Sequence, residues 1–262
     1  MLKNEELLAL LAERRSLREH VPAQEWAARV ELAACYRLMA HFRMTDWIYN
    51  HISLRVPDSH DHYLINPFGL LYEEISASNL VKVDVHGRLV EDVDLDVNPA
   101  AFVIHGAIHT ARPDVGCVLH THTAAGVAVA AQAQGLLPIS QHALKLYERT
   151  AYHDFEGIAL DLEEQERLVA DIGTKDVLIL RNHGLLTMGP DVPRAFELMF
   201  FLERACQIQV AALAGGAVPV TPPAAVIGRT AAQFGNDSAY VQNRDWQALL
   251  RLLDRMDPSY KL

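Results

Sequence analysis

The stretch Val115-Gly116-Cys117-Val118-Leu119-His120-Thr121-His122 decides how this chain is read. Five apolar or small residues lead into two histidines separated by one threonine. A short apolar run of this kind reads as a buried strand. Side chains two apart on a strand share a face, so His120 and His122 reach toward one point. Two imidazoles that meet can share a divalent ion, at ~2.0–2.1 Å from each nitrogen if the ion is zinc. Gly126 and several alanines follow, so little bulk crowds that point. The stretch opens the longest run free of Asp, Glu, Lys and Arg, residues 115–144. That run carries His120, His122, Gln132, Gln134, Pro138 and His142, which is too polar for a lipid-facing helix. It reads as the buried middle of an α/β core.

Working toward the N-terminus, Ala100–Ala111 has the pattern of a helix stopped before Pro113. Leu80–Val85 and Tyr63–Ile65 read as strands and Thr45–Arg55 as short strand patterns, with turns at Asn66-Pro67, Gly69 and Gly87. Residues 24–44 and 3–19 carry apolar side chains at helical spacing. Toward the C-terminus, Ala124–Gln134 reads as a small-residue helix, Ile158–Leu160 as a strand and Leu162–Ile172 as a helix. Val177–Leu180 and Leu185–Met188 read as strands around the turn Arg181-Asn182-His183-Gly184, and Val192–Ala214 as a long amphipathic helix. Gly215–Pro223 is a Gly/Pro-rich connector, and one helix is expected in the tail, around Asp245–Met256. The division expected is an N-terminal helix over 1–23, one α/β domain over 24–215, and a linker with a C-terminal extension over 216–262.

The 262 residues carry a formal net charge of −10 and half of them are hydrophobic, enough for a sizeable core. With a pI near 5.7 and no concentrated basic patch, phosphate backbones repel the chain, and nucleic acid is not an expected partner. Met1 to Arg18 is charged and lacks the apolar core of a signal peptide. Cys35, Cys117 and Cys206 are far apart and sit in apolar patterns, which reads as buried reduced thiols and a cytoplasmic location. No membrane association is expected.

A third ligand candidate is His183, at the sharp end of the Val177–Leu180 strand and beside Gly184, where sheet proteins often display functional groups. His105 and His109, four apart on the Ala100–Ala111 helix, share a face and read as packed or ligand-supporting histidines, with a second metal pair as the alternative. His153, in Tyr152-His153-Asp154-Phe155-Glu156-Gly157, reads as a loop residue with acid/base capacity. His20, His41, His60, His62 and His86 read as surface or structural.

These elements, in this order, resemble the class II aldolase/adducin family. The matching stretches are Tyr49-Asn50-His51-Ile52-Ser53-Leu54-Arg55, Ile65-Asn66-Pro67-Phe68-Gly69, His105 through Val115, His120-Thr121-His122 and Asn182-His183-Gly184, across roughly residues 24–215. The resemblance implies a three-layer α/β/α sandwich and a homotetramer. It also implies a divalent metal on His120, His122 and His183, with zinc expected first and manganese or iron as alternatives. Asn50 corresponds to a substrate-binding position of the family.

The departures matter as much as the matches. Sugar-phosphate aldolases of the family carry Pro-Ser-Ser-Glu where this chain has Asn98-Pro99-Ala100-Ala101, so Ala101 stands in place of the catalytic glutamate. The phosphate-gripping serines are missing too, and Phe68 replaces a threonine beside Gly69. That points to a small, oxygen-rich substrate without a phosphate. Aldol cleavage or decarboxylation is the expected chemistry, with proton transfer falling to His153, Tyr152, His105 or water. The alternatives are an adducin-like interaction protein and an Fe(II)-dependent oxygenase. Resembling aldolases place C-terminal tyrosines in a neighbour's site; here Tyr240 and Tyr260 are the tail's tyrosines, with docking contacts as the expected role.

Overall fold

Seven strands form one sheet in a computed structural model that describes residues 4–99, 101–157, 163–235 and 239–262. The strands are β1 (His51–Arg55), β2 (His62–Ile65), β3 (Val81–Asp84), β4 (Cys117–Thr121), β5 (Thr150–His153), β6 (Val177–Leu180) and β7 (Gly184–Gly189). Their order is β3-β2-β1-β4-β7-β6-β5, and β4 lies at the centre. All pairs are antiparallel except β5 with β6. His51 lies opposite His120, and Ser53 opposite Val118.

Helices cover both faces, which explains the near-continuous apolar strands. On one face Ile52, Leu54, Cys117, Leu119, Val177, Ile179 and Leu185 form a cluster with α2 (Ala23–His41) and α7 (Val192–Leu213). On the other, Val118, Leu178, Leu186 and Met188 pack on α3 (Ala107–Ala111) and α6 (Glu164–Ile172). The alternation Val118 to one side and Leu119 to the other is the period-two rule of a strand. This is the α/β/α sandwich expected. Helix α7 is long and apolar enough by composition to cross a bilayer. Here it is the central cover of the sheet, with Leu198, Met199, Leu202 and Cys206 fully buried. Asp191 caps its first turn by accepting from the Arg194 amide.

Several local expectations are corrected. The helix expected over Ala100–Ala111 begins as a π-type turn, Phe102–Gly106, before it becomes α3. The small-residue helix is α4 (Ala124–Ala130) and ends early, because a turn brings Gly135 to a positive φ. A short helix, α5 (Gln141–Lys145), and strand β5 were not foreseen; Tyr152 and His153 therefore stand on a strand, not in a loop. Pairing with β6 and burial against α6 stabilise what its polar sequence alone does not announce. The strand expected at Ile158–Leu160 lies outside the described residues. The tail holds two helices, α8 (Ala224–Gly235) and α9 (Ala239–Met256), not one.

The tail docks on its own chain. Trp246, Leu253 and Tyr260 join the main core cluster, and the Ala77 and Ser78 amides donate to the Tyr260 and Leu262 carbonyls. At the other end, α1 (Asn4–Glu13) runs into a 3₁₀ turn whose Arg14 donates to the Leu80 carbonyl and to Glu91.

Candidate metal centre

Strand β4 delivers His120 and, one residue past its end, His122; the turn before β7 delivers His183. Asn182 takes a left-handed conformation (φ 57°), which Asn tolerates better than most residues. Gly184 is required at the next step but one. A Cβ there would lie 2.5 Å from the Thr121 carbonyl oxygen and 3.0 Å from the His122 ring. The His-Gly pair is thus a steric condition for bringing the third histidine against the first two.

The three imidazoles meet edge to edge. His120 Nε2 lies 2.8 Å from His122 Nε2, which lies 3.1 Å from His183 Nε2, and the ligand atoms of all three fall within 4.8 Å of one another. Among the described residues this is the one such group of metal-ligating side chains. His120 Nδ1 sits 2.9 Å from the Leu185 carbonyl oxygen, so it carries the ring proton and donates. His122 Nδ1 faces the Asp46 carboxylate at 3.2 Å and donates to it. Both Nε2 atoms therefore present lone pairs to each other. Two lone pairs at that distance repel unless a cation lies between them, so the donor set fits a divalent ion. The outer acceptors Leu185 and Asp46 are the orienting partners that metal-binding histidines commonly have.

Electrostatics point the same way. Burial, then the facing imidazoles of His122, His183 and His51, holds His120 well below the ordinary histidine range. Burial lowers His122 against the pull of Asp46, and burial and then His122 push His183 down to about 4. All three are neutral near pH 7, the state that ligates.

A second histidine group lies on the same face of the sheet. His51 Nδ1 is 2.9 Å from His105 Nε2; His105 Nδ1 is 2.7 Å from the Ser53 hydroxyl; and that hydroxyl is 2.7 Å from His109 Nε2. The π-type turn places His105, and α3 places His109, over β1. These two are hydrogen-bonded, packed histidines and not a second metal pair. Burial holds His51 and His105 well below the ordinary range. The His51 ring centroid lies 5.3 Å from that of His120.

The other candidates are placed differently. His153 faces α6, with Nδ1 2.7 Å from Asp171 and Nε2 3.5 Å from Glu164. The Tyr152 hydroxyl accepts from the Leu136 amide, and the Arg181 guanidinium lies over its ring. Neither is hydrogen-bonded to the triad. Asn50 is buried, and neither its amide nitrogen nor its oxygen has a partner. Ala101 is fully buried in a cluster with Tyr63, Ile65 and Val81, so the position of the family's glutamate belongs to the core. The Tyr260 hydroxyl bonds to Asp254 of its own tail; the side chain of Tyr240 lies outside the described residues.

Two groups escaped the sequence reading. Asp46 lies in a segment that reads as strand and is in fact loop. His51 belongs to a matching stretch, but its pairing with His120 is a long-range contact that no local pattern announces.

Residues 30–210 match the family described as Class II Aldolase and Adducin N-terminal domain, and the chain belongs to that family. An aldolase II superfamily protein from Pseudomonas syringae superposes with a TM-score of 0.91 at 53% identity, covering 94% of this chain and 100% of that one. An L-fuculose 1-phosphate aldolase from Glaciozyma antarctica gives a TM-score of 0.80 at 27% identity, over 91% of this chain and 93% of its own. The chain is also 44% identical to rat (Rattus norvegicus) alpha-adducin over 243 residues, which is 87% of this chain and 33% of that protein.

Proposed function

We propose that this protein is a metal-dependent carbon–carbon lyase that cleaves an aldol or decarboxylates, with release of carbon dioxide, a small, oxygen-rich substrate lacking a phosphate. The observation that carries this reading is the convergence of three neutral imidazoles at one point, where the proton-free Nε2 atoms of His120 and His122 face each other and His183 Nε2 lies beside them. A divalent ion held there by His120, His122 and His183, zinc first and manganese or iron as alternatives, would polarise a substrate carbonyl or carboxylate and spread the developing charge. The chain's own part is to hold the imidazoles: the Leu185 carbonyl and Asp46 fix two of them, and Gly184 leaves room for the third.

Support for an unphosphorylated substrate comes from Phe68, Pro99 and Ala101, none of which offers a hydroxyl or carboxylate. Asn50 is the substrate-binding candidate of the chain. Each buried polar atom without a partner costs about 1–3 kcal/mol, a cost that a bound polar group removes. His105, His153 and Tyr152 are the candidates for proton transfer. The tetramer and the cytoplasmic location belong to the same reading; three buried free cysteines support a reducing compartment.

The test is turnover. The protein, loaded in turn with zinc, manganese and iron, is assayed on unphosphorylated hydroxy-carbonyl and keto-acid compounds beside a His120→Ala variant. Metal-dependent carbon–carbon cleavage lost in the variant is expected; equal turnover in the variant overturns the reading. Turnover that stops without oxygen redirects it to an iron oxygenase. Two observations favour a second reading, an adducin-like interaction protein: Ala101 has been absorbed into the core, and the chain matches alpha-adducin. A protein that holds no metal after incubation with excess ions would support it.

A further inference from the structure

The end of the sheet away from the triad carries a second cavity. His122 and His183 stand where β4 ends and β7 begins, whereas this cavity opens where β4, β5 and β6 begin and β7 ends. The 6 residues of β7 lie between the two, roughly 20 Å at the rise of a strand. The cavity has a volume of about 300 Å³. At about 30 Å³ for each water of the liquid, that is room for about ten waters, more than a bare ion needs.

Its wall is cationic in a chain whose formal net charge is −10. Arg112, Arg149 and Arg194 line it beside two aspartates, Asp114 and Asp176. The arginines come from three places: Arg112 follows α3, Arg149 precedes β5, and Arg194 lies in the first turn of α7. Arg112 is committed. Its Nε and Nη2 grip Asp114, and its Nη1 donates to the Gly173 and Lys175 carbonyls. Arg149 gives Nε and Nη2 to Asp176, and among the described residues nothing accepts from its Nη1. Arg194 gives Nη1 to Glu197, which lies outside the wall and also accepts from Lys145. Its Nη2 is 3.9 Å from Asp176, beyond hydrogen-bond reach.

Two guanidinium groups are thus held along one edge by carboxylates and keep unused N–H donors at the same cavity. A planar guanidinium fixed in this way suits the oxygens of a carboxylate or phosphate. Phe234, at the end of α8, and Met188 add apolar wall. Donors beside apolar surface match an anion that also carries carbon.

We propose that this cavity binds a small organic dianion, a dicarboxylate or a phosphate monoester, with Arg149 and Arg194 on its charged oxygens and Phe234 and Met188 against its carbon chain. The site is separate from the triad and needs no metal.

The test is calorimetric titration of the purified protein at pH 8 and constant ionic strength with succinate, with glycerol 2-phosphate, and with glycerol as the uncharged control. One equivalent of a dianion is expected to bind, and glycerol is not; the tighter dianion tells which class the site takes. Arg149→Met is expected to weaken binding about tenfold or more, the effect of losing charge-assisted hydrogen bonds. Asp176→Asn removes a rival carboxylate and is expected to tighten binding about threefold or more. An Arg149–Asp176 pair that only braced the fold would weaken binding in both variants. In His120→Ala/His122→Ala, which removes the triad as a rival site, affinity is expected to stay as in the wild type. The proposal is overturned by an absence of saturable binding, by equal affinity in Arg149→Met, or by no gain in Asp176→Asn. Loss of binding in His120→Ala/His122→Ala overturns it too and assigns the anion to the triad.

Discussion

In the triad, imidazole nitrogens face each other at 2.8 and 3.1 Å. In the neighbouring string the contacts are 2.9, 2.7 and 2.7 Å, and a serine hydroxyl sits in the middle. The distances are almost the same, and both groups lie on one face of one sheet. The ring protons separate them. His120 and His122 turn theirs outward to Leu185 and Asp46, so their inner edges bear only lone pairs. In the string, every inner contact has a donor for each acceptor. Converging lone pairs need a cation, whereas alternating donors and acceptors are complete without one. Clustered histidines are therefore not by themselves a metal site.

The largest test of this contrast removes the inner edges. His120→Ala/His122→Ala should reduce bound metal from near one equivalent to background by elemental analysis, and abolish any metal-dependent turnover. His105→Ala should leave bound metal unchanged. Equal metal loss in both variants would break the distinction drawn here. Next, Gly184→Ala should destabilise the protein by about 1–3 kcal/mol in urea unfolding, since a Cβ would strike the Thr121 carbonyl and the His122 ring. It should weaken metal binding as well. Asp46→Ala should weaken metal affinity by about tenfold, the low end for an outer partner, because the Asp46 side chain is half exposed. Competition with a chelator measures it.

A separate effect is a pH dependence of stability. Burial, then Arg55, pushes His109 from 6.5 down to about 3. Below pH 6.5 the unfolded chain takes up a proton that the folded chain refuses, so stability falls as pH falls toward 3. From pH 6.5 to about 5 this loss is about 2 kcal/mol. In His109→Gln that part of the slope should vanish, as read from urea midpoints across the range. An unchanged slope would show that His109 is not held neutral.

Much of the site was legible because its signals are local. His-x-His after an apolar run puts two ligands on one side by strand geometry alone, and His183-Gly184 marks a turn where only glycine fits. Legibility failed where the determinant was remote. Strand β5 reads as polar loop until β6 and α6 cover it. The π-type turn under His105 and the second tail helix depend on what they pack against. Asp46 looked like strand, and its loop is set by the Thr121–Met44 contact and a left-handed Trp47.

By itself the sequence determined the succession of strands and helices and the His-x-His pair, and its resemblance to the family implied the layered fold, the candidate metal-ligating histidines and the loss of the family's glutamate, because periodicity, spacing and residue identity are properties of the chain alone. Only the tertiary structure decided that His51 stands opposite His120, that Ser53 joins two histidines 52 and 56 residues away, and that both Nε2 atoms face inward. Those are matters of strand register and proton placement, and both depend on which distant groups the folded chain brings within hydrogen-bonding distance.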